Sequence, residues 1–303
     1  MKKLLPLIAL ILILCLTMSS SAFTEAPVRD TGVYMWQITP QTGSSANNSL
    51  YLLGSLSVSD KSIFPLDDRI EKAYSQCSRL IVESDGSKIT QEQTVVALLK
   101  YGLLSKTTID KVLSKEQYDK ANSLIEKYTQ NKKSLSTYKN FMPWVIENLI
   151  TNLAFSTSKD LVQNGAASYF IQEARKEGKS IVELESLDSQ LSTLASTPYS
   201  YQGAVLENTI DFINKETDTV KNATELWKNG DVQGLSDLYS LKNLSMKGYD
   251  KQILDRNKKT ADYLVKCIKS GGKYFAVVEA SGLTGENNII SLLNKLGYKA
   301  EQM

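Results

Sequence analysis

Two polar residues near the start of the chain follow predicted strands, at positions where they can meet. Residues 51–54 are a short apolar run that ends on Gly54, and Ser57 lies in the loop that follows. Residues 80–83 form a second short apolar run that ends on Glu83. Because open sheets bind their ligands at the ends of strands, we expect Ser57 and Glu83 to be neighbours in one crevice.

A second carboxylate, Glu279, follows the buried strand predicted at residues 273–278, and Ser281 and Gly282 lie in the loop after it. If Glu83 and Glu279 face each other, the pair can separate their two pKa values for acid–base chemistry. It can also hold an oxygen-preferring ion such as Ca²⁺, Mg²⁺ or Mn²⁺. The alternative for Glu83 is a solvated carboxylate with no role.

The absence of histidine from the whole chain limits this chemistry. Imidazole is the commonest protein ligand for zinc-like ions, so a zinc site is not expected. Ser57 and Ser281 would need a lysine or a carboxylate to act as nucleophiles, and the chain has no convincing Ser-x-x-Lys pairing. We therefore exclude a serine nucleophile.

The predicted elements define an α+β fold. Each end of the chain shows a strand, a glycine-containing loop, an amphipathic helix and a second strand, at residues 51–83 and 274–302. We predict that these pseudo-symmetric units form one mixed central sheet. Between them lies a mostly helical insert at about residues 90–178, with capping-box sequences at its helix starts. Longer stretches with helical spacing are residues 161–178, 201–228, 250–270 and 288–296.

Residues 1–22 have the features of a secretory signal peptide. Lys2 and Lys3 precede an apolar run, and small residues lead to a cleavage site after Ala22. We expect a single mature domain at residues 23–303, secreted or in the cell envelope, with membrane contact only through an uncleaved leader. Without Lys2 and Lys3, 33 basic residues balance 33 acidic ones, so a nucleic-acid partner is not expected. Cys77 and Cys267 are then either two buried thiols or a disulfide.

Several segments, in order, resemble the TraB/GumN (PrgY, Tiki-like) family. The first are Trp36 and residues 51–58 and 81–85. The later ones are Met142-Pro143-Trp144, residues 165–170 (with Ala167 where aspartate is usual), residues 182–186 with Gln190, Asp255-Arg256-Asn257, and residues 278–285. The resemblance covers nearly all of the chain after residue 34.

The resemblance implies a centre formed by two loop histidines and a strand-end glutamate, and an animal branch of the family is regarded as metal-dependent peptidases. Here Ser57 and Gly282 stand at the histidine positions, and Glu279 replaces a glycine. We therefore expect Glu83 and Arg256 to be vestigial catalytic residues. The residues expected to contribute to binding are Gly54, Ser57, Asn257, Glu279, Ser281 and Gly282.

The resulting hypothesis is a catalytically degenerate protein that binds a peptide or protein ligand at the cell surface, or regulates one, without a cofactor. The alternative is a metal-dependent hydrolase that uses Glu83 and Glu279 with Ca²⁺, Mg²⁺ or Mn²⁺.

Overall fold

The computed structural model describes residues 32–41, 48–156, 158, 160–163, 165–214, 216–239 and 249–303. The predicted signal peptide lies outside these ranges. The chain divides into two compact units. We call one the helical unit (Asp85–Asp160 and Glu185–Thr219). The other, the sheet unit, contains the described residues up to Ser84, Leu161–Leu184 and Val220–Met303.

The described strands all belong to the sheet unit. They are β1 (Met35–Pro40), β2 (Asn48–Ser55), β3 (Val58–Asp60), β4 (Arg79–Val82), β5 (Leu161–Gln163), β6 (Ser180–Glu183), β7 (Gly272–Glu279) and β8 (Tyr298–Gln302). Six of them form one sheet in the order β6-β4-β7-β2-β1-β8, and β3 pairs with β5. Strands β6, β4, β7 and β2 are parallel neighbours, whereas β1 is antiparallel to both β2 and β8. The mixed sheet confirms the predicted fold class.

The described helices are α1 (Asp68–Ser75), α2 (Gln91–Tyr101), α3 (Ile109–Val112), α4 (Lys115–Tyr128), α5 (Pro143–Ser156), α6 (Gly165–Lys176), α7 (Leu187–Ser196), α8 (Tyr199–Asn214), α9 (Glu216–Lys228), α10 (Val232–Tyr239), α11 (Tyr249–Lys269) and α12 (Ile289–Lys295). None of them combines the length and apolar character needed to cross a membrane, within the residues described.

The two strand-loop-helix-strand units interlock at the centre of the sheet, where β2 and β7 are adjacent. The first runs from β2 through α1 to β4 and passes over β7; the second runs from β7 through α12 to β8 and passes over β2 and β1. In register, Ser55 is paired with Glu279 and Val82 with Val277. The carboxyl ends of β2, β4 and β7 therefore lie at one edge of the sheet.

Helices cover the sheet because its central strands are apolar on both faces, as expected for parallel strands. Phe275 of β7 packs against Tyr74 of α1 and Phe170 of α6, with ring centroids 5.5 and 4.7 Å away. The next residue back, Tyr274, points to the opposite face. There its hydroxyl lies 2.8 Å from Oγ of Ser270, just after α11. Together, these contacts place helices on both sides of β7.

One helix prediction is wrong in part. Residues 161–178 were expected to be one helix, but Leu161–Gln163 is strand β5, in which Val162 pairs with Ser59 of β3. Backbone pairing with β3 decides the conformation of this three-residue segment. Residues 201–228 were also expected to be helical, and the described residues of this range are helical, in α8 up to Asn214 and in α9 from Glu216.

The helical unit has its own apolar core, and its predicted helix starts are confirmed. Thr90 and Gln93 form a capping box at α2, as Ser114 and Gln117 do at α4. The largest side chains buried in this core are Tyr138, Phe141 and Trp144. In the sheet unit, Cys77 and Cys267 are both buried free thiols, which agrees with the first of the two alternatives. Burial raises the pKa of the Cys77 thiol to about 12.

Candidate functional site at the strand ends

Glu279 occupies the end of the central strand β7, and its side chain is partly buried. Its carboxylate is hydrogen-bonded by the hydroxyl and by the backbone N–H of Ser57, in the loop after β2. Burial, followed by the negative charge of Glu83, raises the pKa of Glu279 to about 7, although Ser57 and Arg256 act in the opposite direction. Glu279 therefore exchanges its proton near neutral pH.

Glu83 follows β4, on the other side of β7 from Ser57. Arg256, from α11, places its Nη2 3.2 Å from Oε2 of Glu83. The Glu83 side chain is 24% exposed, so this carboxylate does not lie on the bare surface. Strand β7 stands between β2 and β4, which means that Ser57 and Glu83 flank Glu279 at the edge of the sheet.

Asn257 and Gly282 lie close to each other. Asn257 is buried, and its Nδ2 donates to the carbonyl of Asn287 at 3.0 Å, which ties α11 to the loop after β7. A Cβ built on Gly282 would lie 3.7 Å from Oδ1 of Asn257 and 3.3 Å from Cδ1 of Ile289. Gly282 does not have a positive φ, so its backbone accepts a side chain.

Gly54 lies in tightly packed surroundings near the end of β2. An added Cβ would lie 2.5 Å from Cε1 of Tyr34 and 2.9 Å from Cδ1 of Leu283. Its carbonyl accepts a 2.5 Å hydrogen bond from Nε1 of Trp227. Ser281 is exposed, and its carbonyl accepts hydrogen bonds from Thr284. Gly54 is thus a packing residue, and Ser281 makes its described hydrogen bonds within its own loop.

Ser55 and Tyr34 also belong to this edge, although neither was predicted from the sequence to be a site residue. Ser55 is 4% exposed and is the register partner of Glu279. Its Oγ has no hydrogen-bond partner among the residues that the structure describes. The Tyr34 hydroxyl donates to the carbonyl of Ala280 at 3.4 Å, and burial, then Glu279, raises the pKa of that phenol. Ser55 is a polar residue at the end of an apolar strand, and this pattern could have predicted it as a site residue.

The side chains at this edge offer oxygen atoms to a ligand, together with the guanidinium of Arg256. Among the residues in the described ranges, no three His, Cys, Asp or Glu side chains lie close enough together to hold a metal ion. Glu83 and Glu279 supply two carboxylates, so a metal at this edge would need further ligands from hydroxyls, backbone or water.

This architecture is an α+β protein with a polar site at the carboxyl ends of parallel central strands. The model of the TraB/PrgY/gumN family matches residues 34–302, and the chain belongs to that family. It is similar to the uncharacterized protein YbaP of Escherichia coli (strain K12), with 23% identity over 247 residues, 82% of this chain and 88% of the relative. The protein of the same name from Shigella flexneri matches with the same identity and coverage. No solved structure gives a significant match.

Proposed function

We propose that this protein is an extracytoplasmic binding or regulatory protein in which the metal-dependent centre expected for the family has degenerated. Its ligand is a peptide or protein at the cell surface. The observation that carries the proposal is the pairing of Ser57 with Glu279. The family resemblance implies a metal-binding histidine at position 57. The hydroxyl and the backbone N–H of Ser57 instead donate hydrogen bonds to the carboxylate of Glu279.

The charges at the site support the same conclusion. Glu83 is ion-paired with Arg256, which weakens it as a metal ligand or as a base. At the second histidine position Gly282 offers no ligand atom from a side chain. A zinc hydrolase site requires about three protein ligands and an open position. Among the described residues, this edge supplies two carboxylates, those of Glu83 and Glu279, and no group of three His, Cys, Asp or Glu side chains.

The extracytoplasmic location and the peptide ligand rest on other support. The charged start, apolar run and small residues of segment 1–22 have the pattern of a secretory leader. The peptide ligand follows from the resemblance to metal-dependent peptidases, because loss of the catalytic ligands can leave the substrate-binding surface in place.

A second candidate is favoured by one observation, the pKa of Glu279 at about 7. A general acid–base catalyst works best with a pKa near the operating pH. With an oxygen-preferring ion, Glu279 and Glu83 would then form a carboxylate-based hydrolase. Such an enzyme would depend on Ca²⁺, Mg²⁺ or Mn²⁺.

One experiment separates the two candidates. The purified mature protein is incubated with a defined peptide pool, with and without each of the three ions, and cleavage is followed by mass spectrometry. Thermal unfolding is recorded with the same peptides. We expect stabilisation by peptides without cleavage. Ion-dependent cleavage that is lost in Glu83→Gln and Glu279→Gln, but kept in the exposed-site control Glu301→Gln, would establish the hydrolase instead.

The intact mass of the protein recovered from its native host tests the location. We expect a mature chain that begins at Phe23, found outside the cytoplasmic membrane. A chain that retains residues 1–22 in the cytoplasm would contradict this part of the proposal.

A further inference from the structure

Ser55 and Glu279 form an incomplete polar site at the end of the two central strands. They are register partners on parallel strands, so their side chains lie on the same face of the sheet. Ser55 is 4% exposed, and its Oγ is left without a hydrogen-bond partner in the described part of the chain. Buried hydroxyls are almost always hydrogen-bonded, and because this Oγ has almost no accessible surface, a small movement of its neighbours must admit its partner, a group from outside the protein or a water molecule.

The Glu279 carboxylate can accept further hydrogen bonds from such a group. A carboxylate offers about four lone-pair positions, and the hydroxyl and N–H of Ser57 use two of them. The bound group must therefore present hydrogen-bond donors to Glu279. Because Ser55 Oγ can also accept, a group with several donors satisfies both residues at once.

The charged groups at this edge determine whether a ligand group should be positively or negatively charged. Glu83 and Glu279 are two acids, Arg256 is one base that is paired with Glu83, and the Tyr34 phenol stays neutral. With Glu279 ionised, these four groups together carry one net negative charge. A single positive charge balances it, whereas a carboxylate or phosphate would be repelled.

We propose that this site recognises the primary ammonium group of a peptide, through the Glu279 carboxylate and the Ser55 hydroxyl. An ammonium has three donors and one positive charge, which matches the acceptors and the charge present. A divalent ion fits less well, because no third acidic ligand is near in the described residues. The inference rests on the proposed function and specifies the part of the peptide that is bound.

Three tripeptide probes test the inference and separate the two sources of an ammonium group. Gly-Gly-Gly-amide carries a free amino terminus, N-acetyl-Gly-Lys-Gly-amide carries only a lysine ammonium, and N-acetyl-Gly-Gly-Gly-amide carries neither. Dissociation constants are measured by NMR titration of the full mature protein at pH 8. We expect at least one ammonium-bearing probe to bind about tenfold more tightly than the doubly blocked one, as charge-assisted hydrogen bonds require.

Variants then locate the binding. Glu279→Gln should weaken binding of the preferred probe about tenfold and Ser55→Ala about threefold, with no effect on the blocked probe. Glu301→Gln, at an exposed glutamate in β8, should change neither. Circular dichroism verifies the fold of each variant.

The outcomes distinguish the inference from the proposed function. Equal binding of all three probes would overturn ammonium recognition and leave a peptide-binding protein. Ammonium-dependent binding that survives both substitutions would also overturn it, because the group would then bind elsewhere. Binding of none of the probes at millimolar concentration would contradict the inference and, if the wider peptide pool also fails to stabilise the protein, the proposed function as well.

Discussion

Arg256 of α11 places its Nη2 3.2 Å from Oε2 of Glu83, at the end of β4. This ion pair lies beside the partly buried carboxylate of Glu279. The charge of Glu83 raises the pKa of Glu279, and the charge of Arg256 lowers it. The three residues therefore form one electrostatic unit in which a change in any member alters the protonation of Glu279.

Substitutions in the ion pair should shift the pKa of Glu279 in opposite directions. Glu83→Gln removes a negative charge and should lower that pKa from about 7 toward the ordinary value of a glutamate. Arg256→Gln removes a positive charge and should raise it further. The side-chain carboxyl ¹³C shift of Glu279, followed against pH, measures both effects, with Glu301→Gln as control. A titration that is the same in all four proteins would show that the ion pair does not act on Glu279.

The protonation of Glu279 should make stability depend on pH. The folded-state pKa of about 7 is above the value of about 4.3 for an unfolded glutamate, so between these values the folded state holds the extra proton. The free energy of unfolding should therefore fall as pH rises through this window, by up to about 4 kcal/mol, and level off above about pH 8.

The Glu279→Gln variant isolates this contribution, because the amide is neutral at every pH. Relative to the natural protein, it should gain stability between pH 5 and pH 8. Urea unfolding at several pH values provides the comparison. The other ionisable groups are the same in both proteins, so the pH dependence of the difference in stability reports mainly on Glu279. A stability difference that stays constant with pH would contradict the raised pKa.

Gly54 should tolerate no side chain. A Cβ there would meet the Tyr34 ring at 2.5 and 2.6 Å, closer than non-bonded carbon atoms approach. We expect Gly54→Ala to lower the free energy of unfolding by about 2–3 kcal/mol, as overpacking does. Gly86→Ala is the matched control, because nothing lies within 4 Å of the added carbon. Equal stability of the two variants would show that Tyr34 moves aside without cost.

Restoring both histidines should create a transition-metal site. The triple variant Ser57→His, Gly282→His, Glu279→Gly combines two imidazoles with Glu83. Gly282 does not have a positive φ, and a side chain there requires Cδ1 of Ile289, 3.3 Å from the added Cβ, to move slightly. Three protein ligands with an open position suit zinc. We expect zinc binding measurable by calorimetry in the triple variant, and much weaker binding when either histidine is omitted. Equal, weak binding in all of them would mean that the two loops do not converge.

The strand ends were predictable from sequence, whereas the contacts between them were not. Apolar runs that end on Glu83 and Glu279, and the loop with Ser57, were sufficient to place these residues at strand ends. The order β4-β7-β2, which puts Glu279 between the other two, depends on long-range pairing that local patterns do not contain.

Other parts of the site depend on packing across the sheet unit. The ion pair between Arg256 and Glu83 depends on how α11 packs on the sheet. The helical pattern of the sequence does not specify that packing. The buried Ser55 could not be distinguished from an ordinary loop serine until its register with Glu279 was known. The three-residue strands β3 and β5 are too short to show a period of their own.

The most direct test of the degenerate centre is a calorimetric titration of the purified, unaltered mature protein with Zn²⁺, Mn²⁺, Ca²⁺ and Mg²⁺ in turn. With Ser57 and Gly282 at the histidine positions and Glu83 paired with Arg256, we predict no binding of any ion tighter than about 1 mM, the weak limit of protein calcium modules. Binding of one equivalent at micromolar concentration, lost in Glu83→Gln and in Glu279→Gln but kept in Glu301→Gln, would show that the centre is an intact carboxylate metal site.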